Sequence, residues 1–199
     1  EKSNNYNFEI QPYSELILQN YDFTKNFQDN VIQDYVKLNN KGFDGVSVDV
    51  EAIPENKRQD YLNFLDNLRI ALPGKTISAY AGMINDNNPN EWEWTYPYFK
   101  EVSNKVDIVL LSSYDFNIKD KQSYQNYLLN QLEKATSQPL SSKIVRNIPT
   151  HKREPETISN ALEVFNSFKD KGKLSGVVVF AEWTTDREEW KVFENFVNP

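Results

Sequence analysis

Apolar positions along the chain follow two alternating rhythms. Short blocks over residues 45–50, 75–81, 107–113, 142–148 and 176–181 are rich in Val, Ile and Leu and have the length of strands. Longer blocks carry apolar residues three and four apart and predict helices over 56–72, 92–103, 121–136, 155–171 and 186–197. The first has Tyr61, Phe64, Leu65, Leu68 and Leu72 on one face, with Pro54 near its first turn and Pro73-Gly74 to stop it. Pro97 weakens the start of the second. Thr185 and Glu188 have capping-box spacing at the start of the last. One more helix is expected over 27–41. Residues 1–20 are rich in Asn and Tyr, and Ile17-Leu18 either begins a helix or ends a strand.

Five β-then-α units in succession predict an α/β fold with a parallel sheet and crossover helices. The block over 107–113 is apolar enough to be buried on both faces. No internal repeat or long linker divides the chain, so residues 1–199 are expected to form a single domain.

Composition narrows the chemistry. The 199 residues carry a formal net charge of -7, which argues against duplex DNA or an anionic membrane as partner. There is no Cys, so a disulfide framework, a thiolate zinc site and a Cys nucleophile are excluded. The one His, His151, lies in a polar run and reads as a solvated loop residue. No Gly-rich phosphate loop occurs, and neither metal nor cofactor is expected. No apolar run approaches a membrane span. Glu1 opens no signal peptide, which leaves open a cytosolic chain or the trimmed form of an exported one. Four Trp and eleven Tyr suit stacking on sugar rings.

The informative stretch is residues 43–51, Phe-Asp-Gly-Val-Ser-Val-Asp-Val-Glu. Alternate residues of a strand share a face, so Ser47, Asp49 and Glu51 point one way, about 6.6 Å apart per step. Val46, Val48 and Val50 point the other way, towards helices. Two carboxylates side by side repel, which raises at least one pKa and suits general acid/base work. Strand-end carboxylates bonded to loop amides would give the same pattern. In parallel α/β folds, however, sites gather at the C-terminal ends of strands.

Asp44 to Glu51 resembles the D-G-x-D-x-D-x-E strand of glycoside hydrolase family 18, which includes chitinases, endo-β-N-acetylglucosaminidases and spore-cortex and cell-wall glucosaminidases. Residues 106–115, ending Ser112-Ser113-Tyr114-Asp115, resemble the family's strand ending in M-x-Y-D. Trp183 follows the last strand, where the family keeps a tryptophan under the cleaved sugar. The three motifs fall in the family's order over roughly residues 27–199. The resemblance implies a (β/α)8 TIM-barrel-like fold and hydrolysis of β-1,4-linked N-acetylglucosamine glycans, chitin or peptidoglycan-like. It implies Glu51 as general acid/base and Asp49 as the carboxylate orienting the acetamido group. Tyr114 would be the hydroxyl donor to the acetamido carbonyl and Asp115 a sugar-hydroxyl partner. The substrate's own N-acetyl oxygen would be the nucleophile, with retention. It also implies a monomer, secreted or associated with cell wall or spore, with an oligosaccharide as partner.

Two positions depart from the family pattern: Ser47 replaces the middle aspartate, and Ser112 replaces the methionine. A (β/α)8 barrel usually needs about 250 residues, and only strands four to eight have clear counterparts here, so either residues 1–20 hold a remnant of the earlier strands, or upstream chain is missing, or the barrel is incomplete. The shortened N-terminal part favours a second reading, a glycan-binding barrel that does not cut; the Asp49–Glu51 pair favours the enzyme. A third reading is an α/β domain unrelated to glycans. Tyr80 ends a strand and lines either the cleft or the core. Arg146 and Asn147 alternate faces, so at most one faces the site. Glu182 is expected to point away from Trp183. Trp92 and Trp94 form a sugar platform or pack on the barrel wall, and Trp190 is expected in the core.

Overall fold

Six strands share one parallel sheet in a computed structural model that describes residues 11–18, 23–150 and 154–198. Glu1 and His151 lie outside the described residues. The elements are β1 (Tyr13–Ile17), α1 (Lys25–Asn39), β2 (Gly45–Glu51), α2 (Arg58–Ala71), β3 (Thr76–Ala81), β4 (Met83–Ile84), β5 (Glu93–Trp94), α3 (Tyr96–Ser103), β6 (Ile108–Leu111), α4 (Lys121–Ala135), β7 (Lys143–Pro149), α5 (Ile158–Ser167), β8 (Gly176–Phe180) and α6 (Arg187–Val197). The sheet order is β1-β2-β3-β6-β7-β8, and every pairing is parallel. Neighbours in sequence are therefore neighbours in the sheet, the winding of a TIM-barrel-like α/β fold. Tyr13 from the first strand and Val178 and Phe180 from the last line one cleft, so the sheet curls around it.

The two faces of β2 explain why this strand sits where it does. Val46, Val48 and Val50 are fully buried in the layer between sheet and helices, with Tyr61, Phe64, Leu65 and Leu68 of α2. Ser47, Asp49 and Glu51 take the opposite, inner face. Gly45 lets β2 approach β3, because a Cβ there would lie 2.0 Å from the Thr76 carbonyl oxygen. Helix starts follow side-chain caps: Thr24, Thr95, Asp120 and Thr157 each accept a backbone N–H of the first turn.

Several boundaries differ from expectation. Of the two readings of Ile17-Leu18 the strand end holds, since Tyr13–Ile17 form β1, a sixth strand beside the five expected. The helix expected from residue 92 begins at Tyr96, because Glu93 and Trp94 pair with Met83 and Ile84 in a small ribbon. Thr95 caps that helix and Pro97 sits in its first turn, where no N–H is needed. Gln131 of α4 clamps the ribbon, accepting from the Ile84 N–H and donating to its carbonyl. The helix expected over 155–171 is confined to Ile158–Ser167. The last helix is capped by Asp186 with Glu189, one residue later than the Thr185–Glu188 pair. Trp94 is buried against Tyr98, Trp92 is exposed, and Trp190 is half-buried edge-on to Phe193.

Candidate active site

The inner face holds a cleft of about 330 Å³ lined by Tyr13, Ser47, Asp49, Tyr80, Asn147 and Trp183, among others. Asp49 is 5% exposed. Its Oδ2 accepts a 2.6 Å hydrogen bond from the Tyr13 hydroxyl, and its Oδ1 has no hydrogen-bond partner among the described residues. Burial pushes the Asp49 carboxyl up to about 7; the Tyr13 hydrogen bond opposes this and the Glu15 charge adds to it. Glu51 is half-buried two residues further along β2. Burial pushes it up to about 7 as well, with the charges of Asp49, Glu15 and Asp115 adding and a Tyr80 hydrogen bond opposing. Near neutral pH the two carboxyls thus share about one proton between them and titrate as a pair.

Tyr80 joins two strands at the site. It bonds to Glu51 on one side, and the Ser112 hydroxyl bonds to it on the other. Ser112 also bonds the Tyr114 backbone, accepting its N–H and donating to its carbonyl, each at 3.3 Å. Tyr80 faces the cleft because β3 presents Ser78 and Tyr80 inward while Ile77, Ala79 and Ala81 are buried outward.

Beyond β6 the chain turns sharply. Asp115 and Asn117 adopt left-handed backbone (φ 62° and 58°). Glu156, 2% exposed, holds this turn by accepting the Asp115 N–H at 2.6 Å and the Phe116 N–H at 2.9 Å. Arg146 and Tyr124 pin the preceding residue through the Ser113 hydroxyl and carbonyl. Tyr114 is thereby presented to the site. Its ring stacks on Phe180 at 4.9 Å, its hydroxyl is hydrogen-bonded by Asn147, and burial raises its pKa. Asp115 itself is exposed and lines a neighbouring hollow of about 300 Å³ with Lys119 and Glu154, close enough for its charge to act on Glu51.

Of Arg146 and Asn147, Asn147 faces the cleft. Arg146 lies on the other face, where burial lowers its pKa to about 10. Phe180 links Tyr114 and Trp183, its ring centroid 4.9 Å from that of Tyr114 and 5.9 Å from that of Trp183. The indole is 74% exposed at the cleft. Glu182 also lines the cleft, contrary to strand alternation, because β8 ends at Phe180 and Glu182–Thr184 form a tight turn.

Tyr13, Glu15, Phe180 and Glu156 were not singled out as site residues by sequence. For the first two the signal is the alternation Tyr13, Glu15, Ile17, which the register places opposite Ser47, Asp49 and Glu51.

No protein-family model matches the chain. A protein of Bacillus subtilis (strain 168) called "Uncharacterized glycosylase YvbX" is 24% identical over 159 residues, covering 74% of this chain and 45% of that protein. The match thus spans less than half the length of that relative. Among solved structures, a chitinase from Chromobacterium violaceum ATCC 12472 superposes with a TM-score of 0.71 at 14% identity, over 96% of this chain and 80% of that one. The spore cortex-lytic enzyme SleL of Bacillus megaterium QM B1551 gives 0.68 at 15% identity, over 86% of this chain and 53% of that one. Identities this low establish a shared barrel-type fold.

Proposed function

We propose that the chain is the catalytic part of a retaining glycosidase of the family 18 type, acting on β-1,4-linked N-acetylglucosamine glycans such as chitin or peptidoglycan strands. The observation that carries this reading is the Asp49–Glu51 pair: two carboxyls on one strand face, both held to about 7, beside a cleft with an exposed tryptophan. A carboxyl that keeps its proton near neutral pH can protonate a leaving oxygen. The names of the glycosylase relative and of the chitinase and cortex-lytic neighbours support the same class.

In this mechanism Glu51 donates its proton to the glycosidic oxygen as the C1–O bond breaks. The substrate's acetamido oxygen attacks C1 from the opposite face, forming a cyclic oxazolinium. Asp49 Oδ1, buried and without a protein partner, accepts the acetamido N–H and offsets the charge that develops there. Tyr114 donates towards the acetamido carbonyl, and Trp183 stacks on the sugar. Ionised Glu51 then takes a proton from water, which opens the ring at C1 and restores the original configuration. Ser47 and Tyr80 line the sugar site, and Asp115 binds a sugar hydroxyl. A secreted or wall- or spore-associated location fits such a substrate.

The test is hydrolysis of chitooligosaccharides and of N-deacetylated counterparts, with binding measured in parallel. The unaltered protein should cut only the acetylated chains. Glu51→Gln should bind them but turn over about 100-fold or more slowly. Equal cleavage of both substrates refutes substrate assistance. Binding without cleavage by the unaltered protein favours a glycan-binding barrel.

A further inference from the structure

Residue 47, which shares its strand face with the acid pair, is a serine and carries no charge. The groups that act on Asp49 come instead from the next strand. β1 pairs in parallel with β2, setting Tyr13 opposite Ser47, Glu15 opposite Asp49 and Ile17 opposite Glu51. The inner face of β1 therefore presents one hydroxyl and one carboxylate to the site. Tyr13 donates to Asp49 Oδ2 at 2.6 Å, which turns the carboxylate so that Oδ1 is left without a protein partner in a residue that lines the cleft. Glu15 is exposed, and its charge acts on Tyr13, Asp49 and Glu51 alike.

We propose that β1 governs the acid pair from two opposed sides: Tyr13 favours the ionised form of Asp49 and fixes the turn of its carboxylate, and Glu15 favours a proton on the pair. Tyr13 and Glu15 are thus positioning residues, acting through Asp49 and Glu51. A hydroxyl donor stabilises the carboxylate it touches, and a like charge destabilises it. The other titratable neighbours do not supply either effect in the same way. Tyr80 on β3 bonds to Glu51, and Tyr114 and Asp115 approach from beyond β6. Tyr35 of α1 and Tyr61 of α2 feel the Asp49 charge, which adds to burial in raising their pKa values. Burial keeps these four phenols protonated; Glu182 lines the cleft beyond β8, but the outside carboxylates whose charge acts on the pair are Glu15 and Asp115. Of these, Glu15 alone acts on both Asp49 and Glu51.

The catalytic consequence rests on the glycosidase reading, but the titration does not. Carboxyl-carbon resonances of Asp49 and Glu51 are followed against pH by NMR in the unliganded protein, in Tyr13→Phe and in Glu15→Gln. Tyr13→Phe should move the Asp49 midpoint up by about one pH unit, for loss of a hydrogen bond to the charged form. Glu15→Gln should move the midpoints of the pair down by roughly half a unit, the effect of an exposed like charge on the adjoining strand. Unmoved midpoints, or shifts in the same direction in both variants, overturn the proposal. The pH profile of chitooligosaccharide hydrolysis is recorded on the same samples. Opposed NMR shifts with no hydrolysis at any pH sustain the role of β1 and remove the glycosidase reading. Hydrolysis with unmoved midpoints does the reverse.

Discussion

Replacing Asp49 by asparagine should make the protein more stable in mild alkali while slowing its proposed reaction. Asp49 has an ordinary value of 3.8 and is held in the fold at about 7. A folded-state value above the unfolded one means that the folded protein binds the proton more tightly. The contribution of this carboxyl to stability is then complete below about pH 4 and is lost as pH rises through about 7. Roughly three pH units at about 1.4 kcal/mol each give a ceiling of about 4 kcal/mol above pH 7. Glu51 titrates with Asp49 and shares the burden, so about 2 kcal/mol is the working expectation for one substitution. Asparagine has nearly the same shape, keeps an acceptor for Tyr13 and carries no charge to desolvate. For a chain of this length, that gain corresponds to a rise in melting temperature of about 4–8 °C. Thermal unfolding of both proteins at pH 4 and pH 8 checks it: the variant should melt higher at pH 8, with the difference nearly closed at pH 4. No gain at pH 8, or the same gain at both, would show that burial of the charge is not what raises the carboxyl.

The remaining predictions concern the frame of the site. Trp183→Ala should weaken glycan binding in calorimetry while changing stability by no more than about 0.5 kcal/mol, because the indole is mostly exposed. A large loss of stability would make Trp183 a packing residue. Glu156→Gln leaves a single oxygen for the Asp115 and Phe116 amides and should cost about 1–3 kcal/mol in denaturant unfolding. An unchanged midpoint would mean that the turn holds itself. Gly45→Ala drives a Cβ into the Thr76 carbonyl and should destabilise by about 3 kcal/mol or more, read by thermal melting. A near-neutral result would require β2 and β3 to part without cost.

The strands and helices that bury one clear apolar face were readable in the sequence. The face carrying Ser47, Asp49 and Glu51 follows from a period of two, and its orientation follows from the valines between them. β1 was harder. Ser14 bonds Tyr35 behind the sheet, while on the other side Tyr13 lines the cleft and Glu15 is exposed, so neither side of that strand is marked by hydrophobicity. Trp92 to Trp94 looked helical because a two-residue strand is too short to show a period, and only Thr95 marks the true start. The alternation past β8 failed for a related reason. Strand parity holds only while the strand continues, and the chain turns at Glu182. Phe180 was overlooked because an aromatic in a Val-rich strand reads as core, and only the tertiary structure sets it between Tyr114 and Trp183.

The exposure of Trp183 gives the protein a built-in optical reporter. The chain has four tryptophans, and among Trp92, Trp94 and Trp183 the exposures are 39%, 2% and 74%. Trp94 sits in an apolar shell and emits as a shielded indole. Trp183 meets bulk water and contributes the longest-wavelength, most readily quenched part of the emission. A sugar ring settling on that indole strips water from it and leaves Trp94 untouched. Occupancy of the cleft is therefore legible in the intrinsic fluorescence of the unlabelled protein, as a shift to shorter wavelength and protection from a soluble quencher. The same measurement in Glu51→Gln follows occupancy without any chemistry.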